Sequence, residues 1–151
     1  MRPVLVNGLP LPDELVRLVE SGAWRGNHDF GSLALFGSRQ PDAFTLWSVA
    51  SMERETGGSL RMVRDPRLAE IYGLASSRLS GRPVSDVKVV DVDLAVLIAG
   101  NYDEDAIYLD YRAGGTPSVL LSTCRDERPS AQAHRVADDI GEFALRMGIA
   151  R

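Results

Sequence analysis

Residues 106–123 read Ala-Ile-Tyr-Leu-Asp-Tyr-Arg-Ala-Gly-Gly-Thr-Pro-Ser-Val-Leu-Leu-Ser-Thr, and this stretch decides the predicted fold. Its first half alternates between two sides: Ile107, Leu109 and Tyr111 lie on one, and Tyr108, Asp110 and Arg112 lie on the other. A period of two residues is typical of a strand with one buried face. Gly114-Gly115 predicts a chain reversal, because glycine accepts the positive φ angles of tight turns. The apolar run that follows completes a predicted β-hairpin.

A further strand is predicted just before this hairpin. Residues 91–98 read Asp-Val-Asp-Leu-Ala-Val-Leu-Ile, an approach with two acids and then a largely apolar body. Residues 100–105, Gly-Asn-Tyr-Asp-Glu-Asp, form the loop into the hairpin. Because consecutive strands usually lie side by side, the three strands are expected to form an antiparallel meander in sequence order. A short extra strand is expected at His134-Arg135-Val136.

The most convincing helix is predicted near the N-terminus. It begins at Pro12, whose missing N–H is harmless in a first turn, and the acids at 13 and 14 suit the positive end of the helix dipole. The helix carries an apolar stripe of Leu15, Leu18 and Val19 and stops at Gly22. Trp24 follows at once and is expected to pack against it.

Two more helices are predicted from capping signals and helical spacing. One begins with Asp65 as N-cap and Pro66 in the first turn, and it ends before Gly81. The last begins with Asp138 as N-cap and closes at Gly148. Their apolar faces are formed by Leu68, Ile71, Tyr72 and Ala75 and by Ile140, Phe143, Ala144 and Met147.

The region between the first two helices is less regular. Residues 33–36 are apolar and fit either a strand or a buried helix, and residues 46–52 are equally ambiguous. Residues 53–59 contain Gly57-Gly58 and are predicted to be a polar loop. Taken together, residues 1–151 predict one α+β domain, with a mixed, mostly antiparallel sheet and helices packed mainly on one face.

Composition narrows the class of function. The chain is 44% hydrophobic and 25% charged, which is typical of a globular protein. Its single cysteine, Cys124, excludes an internal disulfide and fits a reducing compartment. Neither a signal peptide nor a membrane-spanning stretch is recognisable, so a soluble cytoplasmic protein is expected. The net charge of −4 argues against direct nucleic-acid binding, which needs a basic patch.

No catalytic motif is recognisable. The chain has no Gly-x-Ser-x-Gly elbow and no phosphate-binding loop, and its sole lysine, Lys88, lies in a β-rich run. His28, Cys124 and His134 lack the spacing of a zinc site. Paired carboxylates such as Asp91 and Asp93 would need a cleft to act as acid and base. We therefore expect no enzyme activity, no cofactor and no metal.

Candidate partner-binding residues lie in and around the hairpin. Asp103, Glu104 and Asp105 form the densest acidic cluster, which would steer a basic protein partner electrostatically. The alternatives are that they are simply solvated or that they ligate a hard cation. Asp110 and Arg112 share a strand face and form either a recognition pair or a structural ion pair. Four aromatic residues are possible anchors for a binding surface or for the core: Trp24, Trp47, Tyr102 and Tyr108.

Several features together resemble the SUKH superfamily, which includes a yeast cell-wall-synthesis regulator and many bacterial immunity proteins. They are the opening Leu11-Pro12-x-x-Leu15-x-x-Leu18-Val19-x-Ser21-Gly22-x-Trp24-Arg25, the strand Asp91-Val92-x-x-Ala95-Val96-x-Ile98-Ala99, the segment Ile107-x-Leu109-Asp110-Tyr111-Arg112, the proline before Val119, and the last helix with Glu142-Phe143 and Gly148-Ile149. The chain looks most like the stand-alone actinobacterial members. It departs from them at residues 124–135, where members often place a tryptophan.

The resemblance implies a non-enzymatic α+β domain that binds a protein, in many members a secreted toxin that the immunity protein neutralises. For this chain it predicts an intracellular immunity protein that masks a polymorphic toxin, such as a nuclease, with Asp103, Glu104, Asp105, Tyr108, Asp110 and Arg112 as partner-binding candidates. The alternatives are an intracellular scaffold or regulator with a host partner, and an unrecognised small enzyme. Genome neighbourhood distinguishes the first two, and a deep pocket of ionisable groups would favour the third.

Overall fold

The computed structural model describes residues 3–29, 43–101, 104–124 and 130–149. The strands there are β1 (Leu5–Val6), β2 (Leu9–Pro10), β3 (Gly26–His28), β4 (Phe44–Leu46), β5 (Leu74–Ala75), β6 (Val90–Asp91), β7 (Ala95–Gly100), β8 (Ala106–Asp110), β9 (Ser118–Thr123) and β10 (Gln132–Ala137). The helices are α1 (Asp13–Ser21), α2 (Val49–Met62), α3 (Pro66–Tyr72), α4 (Ser77–Ser80) and α5 (Ile140–Arg146). No helix in these ranges is long and apolar enough to span a membrane.

Six strands form one sheet in the order β10-β9-β8-β7-β4-β3, and every neighbouring pair in it is antiparallel. The predicted meander of β7, β8 and β9 forms its centre, with Leu109 opposite both Val96 and Val119. Two small pairs complete the fold: β1 with β2 is antiparallel, and β5 with β6 is parallel. The mixed, mostly antiparallel α+β architecture is therefore confirmed, as is the strand expected around His134.

The main hydrophobic core lies on one face of the sheet. Ile107 and Leu109 pack there against Leu15 of α1 and Phe143 of α5. Each large apolar side chain that is fully buried contributes about 1.5–3 kcal/mol to stability. Trp24 joins this core as expected: its amide donates to the Leu18 carbonyl (3.0 Å), and its ring lies 6.5 Å from that of Phe143.

A second, smaller core covers the opposite face. It contains Leu97, Tyr108 and Leu120, with Met62 of α2 and Tyr72 of α3 packed against them. The prediction of one buried face for β8 is therefore wrong, because Tyr108 is as buried as its apolar neighbours. The second core was not predicted, because Tyr108 alternates with the charged residues Asp110 and Arg112 on the side of the strand that the pattern assigns to solvent.

Helix α2 replaces the polar loop predicted at residues 53–59. The Ser48 side chain accepts a hydrogen bond from the Ser51 amide and so caps its N-terminus. The buried residues Met52, Thr56 and Ser59 follow at intervals of four and three, the spacing of one helical face. Tertiary packing of this face offsets the poor helix propensity of the two glycines in the middle.

Helix α3 begins as predicted but ends earlier. Asp65 accepts hydrogen bonds from the amides of Arg67 (2.9 Å) and Leu68 (3.4 Å). The helix stops at Gly73, whose φ of 64° is left-handed, instead of continuing to Gly81. A Cβ at Gly73 would lie 2.5 Å from the Ala131 carbonyl oxygen, so the close approach of the two backbones requires glycine here.

One predicted helix boundary also shifts. Asp139, and not Asp138, caps α5, because its side chain accepts from the Glu142 amide (2.8 Å). The Asp138 carboxylate forms an exposed ion pair with Arg135 instead (2.9 Å). In the segment 91–98, the predicted approach contains a single 3-10 turn, and the strand that follows it begins at Ala95. The segment 33–36 lies outside the described residues.

Candidate functional site

A pocket of about 670 Å³ lies where β7 ends and the chain turns into β8. Its walls come from segments far apart in the sequence: β3 and β4, helix α2, Tyr72 at the end of α3, the loop at Asn101 and Glu104, and the sheet strands behind it. Its volume lies within the range of ligand pockets, about 300–1,000 Å³. This is the candidate site.

The floor of the pocket is held by hydrogen bonds between α2 and the sheet. The hydroxyls of Ser59 and Tyr108 lie 3.1 Å apart, and the Leu97 amide donates to the Thr56 hydroxyl (3.0 Å). Burial raises the pKa of Tyr108 to about 12, with the Ser59 hydrogen bond acting in the opposite direction and Glu55 adding to the rise. The phenol therefore stays protonated at neutral pH and serves as a hydrogen-bonding group, not as a base.

One wall is aromatic. Trp47 follows β4, its amide donates to the Ile98 carbonyl (3.1 Å), and its half-buried ring lines the pocket. The ring lies over Gly100, where a Cβ would come within 2.7 Å of it. Gly100 therefore sets the position of the indole. Of the four possible aromatic anchors, Trp24 is in the core, Tyr102 is outside the described residues, and Trp47 and Tyr108 meet in the pocket.

The predicted acidic cluster is divided by the structure. Asp105 is 2% exposed, so the alternative that all three acidic residues are simply solvated is wrong for Asp105. Its two carboxylate oxygens accept from the Thr123 hydroxyl (2.6 Å) and the Asn101 side-chain amide (3.1 Å), and its own backbone N–H donates to the Asn101 Oδ1 atom (2.9 Å). The buried carboxylate thus connects Asn101, which follows β7, to Thr123 of β9. Asp103 lies outside the described residues.

Glu104 keeps the exposed position that was expected for the cluster. Its backbone is left-handed, with φ of 63°, and its carboxylate accepts a hydrogen bond from the Tyr72 hydroxyl at 2.6 Å. This hydrogen bond is the main reason why the pKa of Tyr72 is raised. The contact joins α3 to the β7–β8 loop and orients the carboxylate at the pocket wall.

Asp110 is the last residue of β8, at the end away from the pocket, and Arg112 lies in the turn that follows, so the prediction that they share a strand face is wrong. The Arg112 Nε atom is 3.0 Å from the Asp110 carboxylate, which also accepts from the Arg112 backbone amide. The same guanidinium donates to the carbonyls of Val84 (3.3 Å) and Asp86 (3.0 Å). This geometry corresponds to the structural alternative, an ion pair that anchors neighbouring backbone.

The pair Asp91 and Asp93 also has a structural task. Asp91 accepts from the amides of Ser77 and Asp93, and Asp93 accepts from the Ser76 hydroxyl (2.5 Å) and the Arg78 amide (2.9 Å). Both carboxylates thereby hold the short helix α4. Within the part of the chain that the structure describes, no group of three or more His, Cys, Asp and Glu side chains is placed to hold a metal.

The part of the pocket lining that the structure describes is acidic. Among the described residues that line it are Glu55, Glu104 and Asp105, but no lysine, arginine or histidine. Glu55 and Tyr72 were not predicted as site residues. The sequence pattern predicts a polar loop at residues 53–59 and places Tyr72 on the apolar face of a helix. Two of the three buried residues of α2 are polar, so no apolar spacing in the sequence signals the helix that carries Glu55. No family model, curated protein or solved structure matches the chain.

Proposed function

We propose that the chain is a non-enzymatic protein-binding module of the SUKH kind, an intracellular immunity protein that neutralises a polymorphic toxin domain by masking it. The observation that carries the proposal is the acidic, aromatic-lined pocket at one end of a rigid sheet. Aromatic side chains anchor protein interfaces, and acidic groups around them select a basic partner. The resemblance to SUKH proteins points to the same class of function.

Preorganisation of the pocket supports binding. The hydrogen bonds of Thr56 and Ser59 fix α2 to the sheet, and Asp105 fixes the β7–β8 loop. A surface that is already ordered loses less conformational entropy when a partner binds. Such a surface suits an inhibitor that must block its target quickly and tightly.

Charge supports the choice of partner. The net charge is −4, and two of the acidic residues that contribute to it, Glu55 and Glu104, line the pocket. A nuclease domain carries basic residues for its phosphate substrate, and opposite charges accelerate the association of two proteins. A toxin of this class is therefore the partner that the charge distribution favours.

The pocket volume favours a second candidate, the small enzyme or small-molecule binder, because about 670 Å³ would hold a metabolite. The polar groups of the floor argue for recognition instead of reaction. Among the described residues, the Ser59 hydroxyl is hydrogen-bonded to a tyrosine that stays protonated, and not to a carboxylate or imidazole that would activate it as a nucleophile.

The test is to inspect the neighbouring genes and, if one of them encodes a toxin-like protein, to co-express its product with the chain. We expect a stoichiometric complex that survives gel filtration and a toxin that loses its activity in the complex. Charge reversal by Glu55→Lys and Glu104→Lys is expected to slow association, whereas Glu53→Lys, on the same helix but outside the pocket, is the matched control. A folded chain that forms no complex with that product contradicts the proposal, and a neighbourhood without toxin or secretion genes favours the host scaffold.

A further inference from the structure

The pocket has a composition that fits one particular side chain. Three aromatic residues, Trp47, Tyr72 and Tyr108, line it together with the apolar Met62 and Leu97. Flat aromatic faces attract cations, and the planar guanidinium group stacks on them best. The aliphatic part of an arginine side chain also suits the apolar portion of the lining.

Acidic groups are contributed by separate elements of the pocket. Glu55 comes from α2, and Glu104 comes from the β7–β8 loop. The Tyr72 hydroxyl holds one oxygen of Glu104 in place, which leaves the other oxygen to accept a further hydrogen bond. Glu55 has an exposed ion pair with Arg54 at 3.6 Å, a contact that contributes little and exchanges easily.

These groups exclude other occupants. An anion would meet the Glu104 carboxylate, and among the described contacts only Glu55 of the two glutamates has a basic neighbour, Arg54, which lies outside the described lining. A purely apolar group would remove water from both carboxylates and offer no hydrogen bond in return. A cation with several N–H donors satisfies both requirements, and arginine presents five in a planar fork.

We propose that this pocket receives an arginine side chain presented by the protein partner, with Glu55 and Glu104 binding the guanidinium and the aromatic residues stacking on it. The inference rests on the proposed function and names the chemistry of the partner's contact. The pocket volume of about 670 Å³ is several times that of one side chain, so the peptide backbone and flanking residues fit as well. Free arginine would leave most of this space unfilled.

The test uses two acetylated and amidated tetrapeptides, Ala-Arg-Arg-Ala and its neutral analogue with citrulline in place of arginine. Binding is followed by NMR through the indole N–H resonance of Trp47, which the variant Trp47→Phe assigns. We expect saturable binding of the arginine peptide and binding of the citrulline peptide that is about tenfold weaker, because the neutral group loses the charge-assisted contacts.

Substitutions then locate the site. Glu55→Gln and Glu104→Gln keep the side-chain shape, and each is expected to weaken the arginine peptide about threefold to tenfold. Glu53→Gln removes an exposed charge from the same helix outside the pocket, and its affinity is expected to stay within about twofold of the original. Equal effects of all three substitutions would show that general attraction, and not the pocket, binds the peptide.

Three further results would overturn the inference. The first is equal affinity for the two peptides, and the second is the absence of a shift of the Trp47 resonance at millimolar concentrations of the arginine peptide. The third is an affinity for free arginine or spermidine equal to that for the peptide, which would make the pocket a site for small cations. Failure here is distinguishable from failure of the proposed function. If Glu55→Gln and Glu104→Gln leave the affinity of the toxin complex unchanged, the arginine contact is excluded. The proposed immunity function is unaffected by that result.

Discussion

Tyr108 is buried, and within the described part of the chain its hydroxyl has one hydrogen-bond partner, Ser59. Its hydroxyl lies 3.1 Å from that of Ser59, and burial raises its pKa to about 12. For a group whose pKa is raised by folding, the stability contribution is complete below the unfolded value, near 10, and is lost as the pH rises through the folded value. The loss is therefore expected between pH 10 and 12.

Tyr108→Phe tests this linkage. At pH 7 we expect a decrease of about 1 kcal/mol in the free energy of unfolding, because the hydrogen bond to Ser59 is lost. Between pH 10 and 12 the original protein is expected to lose about 3 kcal/mol more than the variant, since two pKa units correspond to that energy. Urea unfolding at several pH values measures both. Parallel pH profiles of the two proteins would contradict the assignment.

Asp105 is expected to be the acid of the loop whose loss harms folding most. Asp105→Ala leaves Thr123 and Asn101 without their buried acceptor, so the free energy of unfolding should fall by about 3 kcal/mol. Glu53→Ala, at an exposed position of α2, should stay within about 0.5 kcal/mol of the original. Chemical denaturation compares the two. A near-neutral Asp105→Ala would mean that the carboxylate does not hold the loop.

Neighbouring acids in this loop could not be distinguished from the sequence. Glu104 and Asp105 are adjacent and chemically alike, yet one is exposed and the other is 2% exposed. The difference arises from Thr123 of β9, which is eighteen residues from Asp105 in the sequence. Its hydroxyl donates a hydrogen bond to the Asp105 carboxylate inside the fold. Local pattern holds no information about a partner at such a distance.

Helix α2 also could not be predicted from the local sequence pattern. Its buried face contains Met52, Thr56 and Ser59, two of them polar, so a search for apolar spacing finds no stripe. The glycine pair then predicted a loop. Elements with conventional signals were predicted well: α1 with its terminal glycine, and the strands β7 to β9 with their alternation and turn residues.

A glycine within α2 offers a stabilising substitution. Gly57 has ordinary helical backbone, and a Cβ there would meet only the end of the Arg61 side chain at 3.6 Å. Gly57→Ala is expected to raise the free energy of unfolding by about 0.5–1 kcal/mol through helix propensity. Gly114→Ala is the matched contrast, because its φ of 75° makes alanine strained and the protein less stable. Thermal unfolding of both variants provides the comparison, and destabilisation by Gly57→Ala would argue against the helix.

The N-terminus of α5 separates two adjacent acids. Asp139→Ala removes the cap on the Glu142 amide and should lower the free energy of unfolding by about 1 kcal/mol. Asp138→Ala breaks only the exposed pair with Arg135 and should change it by less than about 0.5 kcal/mol. Guanidinium titrations are accurate enough to rank them. A larger effect at Asp138 would restore the cap position predicted from the sequence.

At the scale of the whole molecule, the central meander was predictable because its contacts are close in sequence. The pocket was not, because its walls come from segments that are far apart in the sequence: β3, β4, α2, α3 and the β7–β8 loop. The candidate residues Glu104, Asp105 and Tyr108 line the pocket. Asp110 and Arg112 lie at and just beyond the far end of β8, where Arg112 donates to the backbone carbonyls of residues 84 and 86. Their partner-binding role stays a prediction.

We propose that the acidic pocket is the surface that masks a toxin domain. Hydrogen exchange followed by mass spectrometry, on the chain alone and in complex with its toxin partner, would locate that surface. We expect slower exchange on binding at residues 49–62 and 95–106, with little change in α1 and α5. Protection confined to α1 and α5, with the pocket segments unchanged in a stable complex, would contradict it.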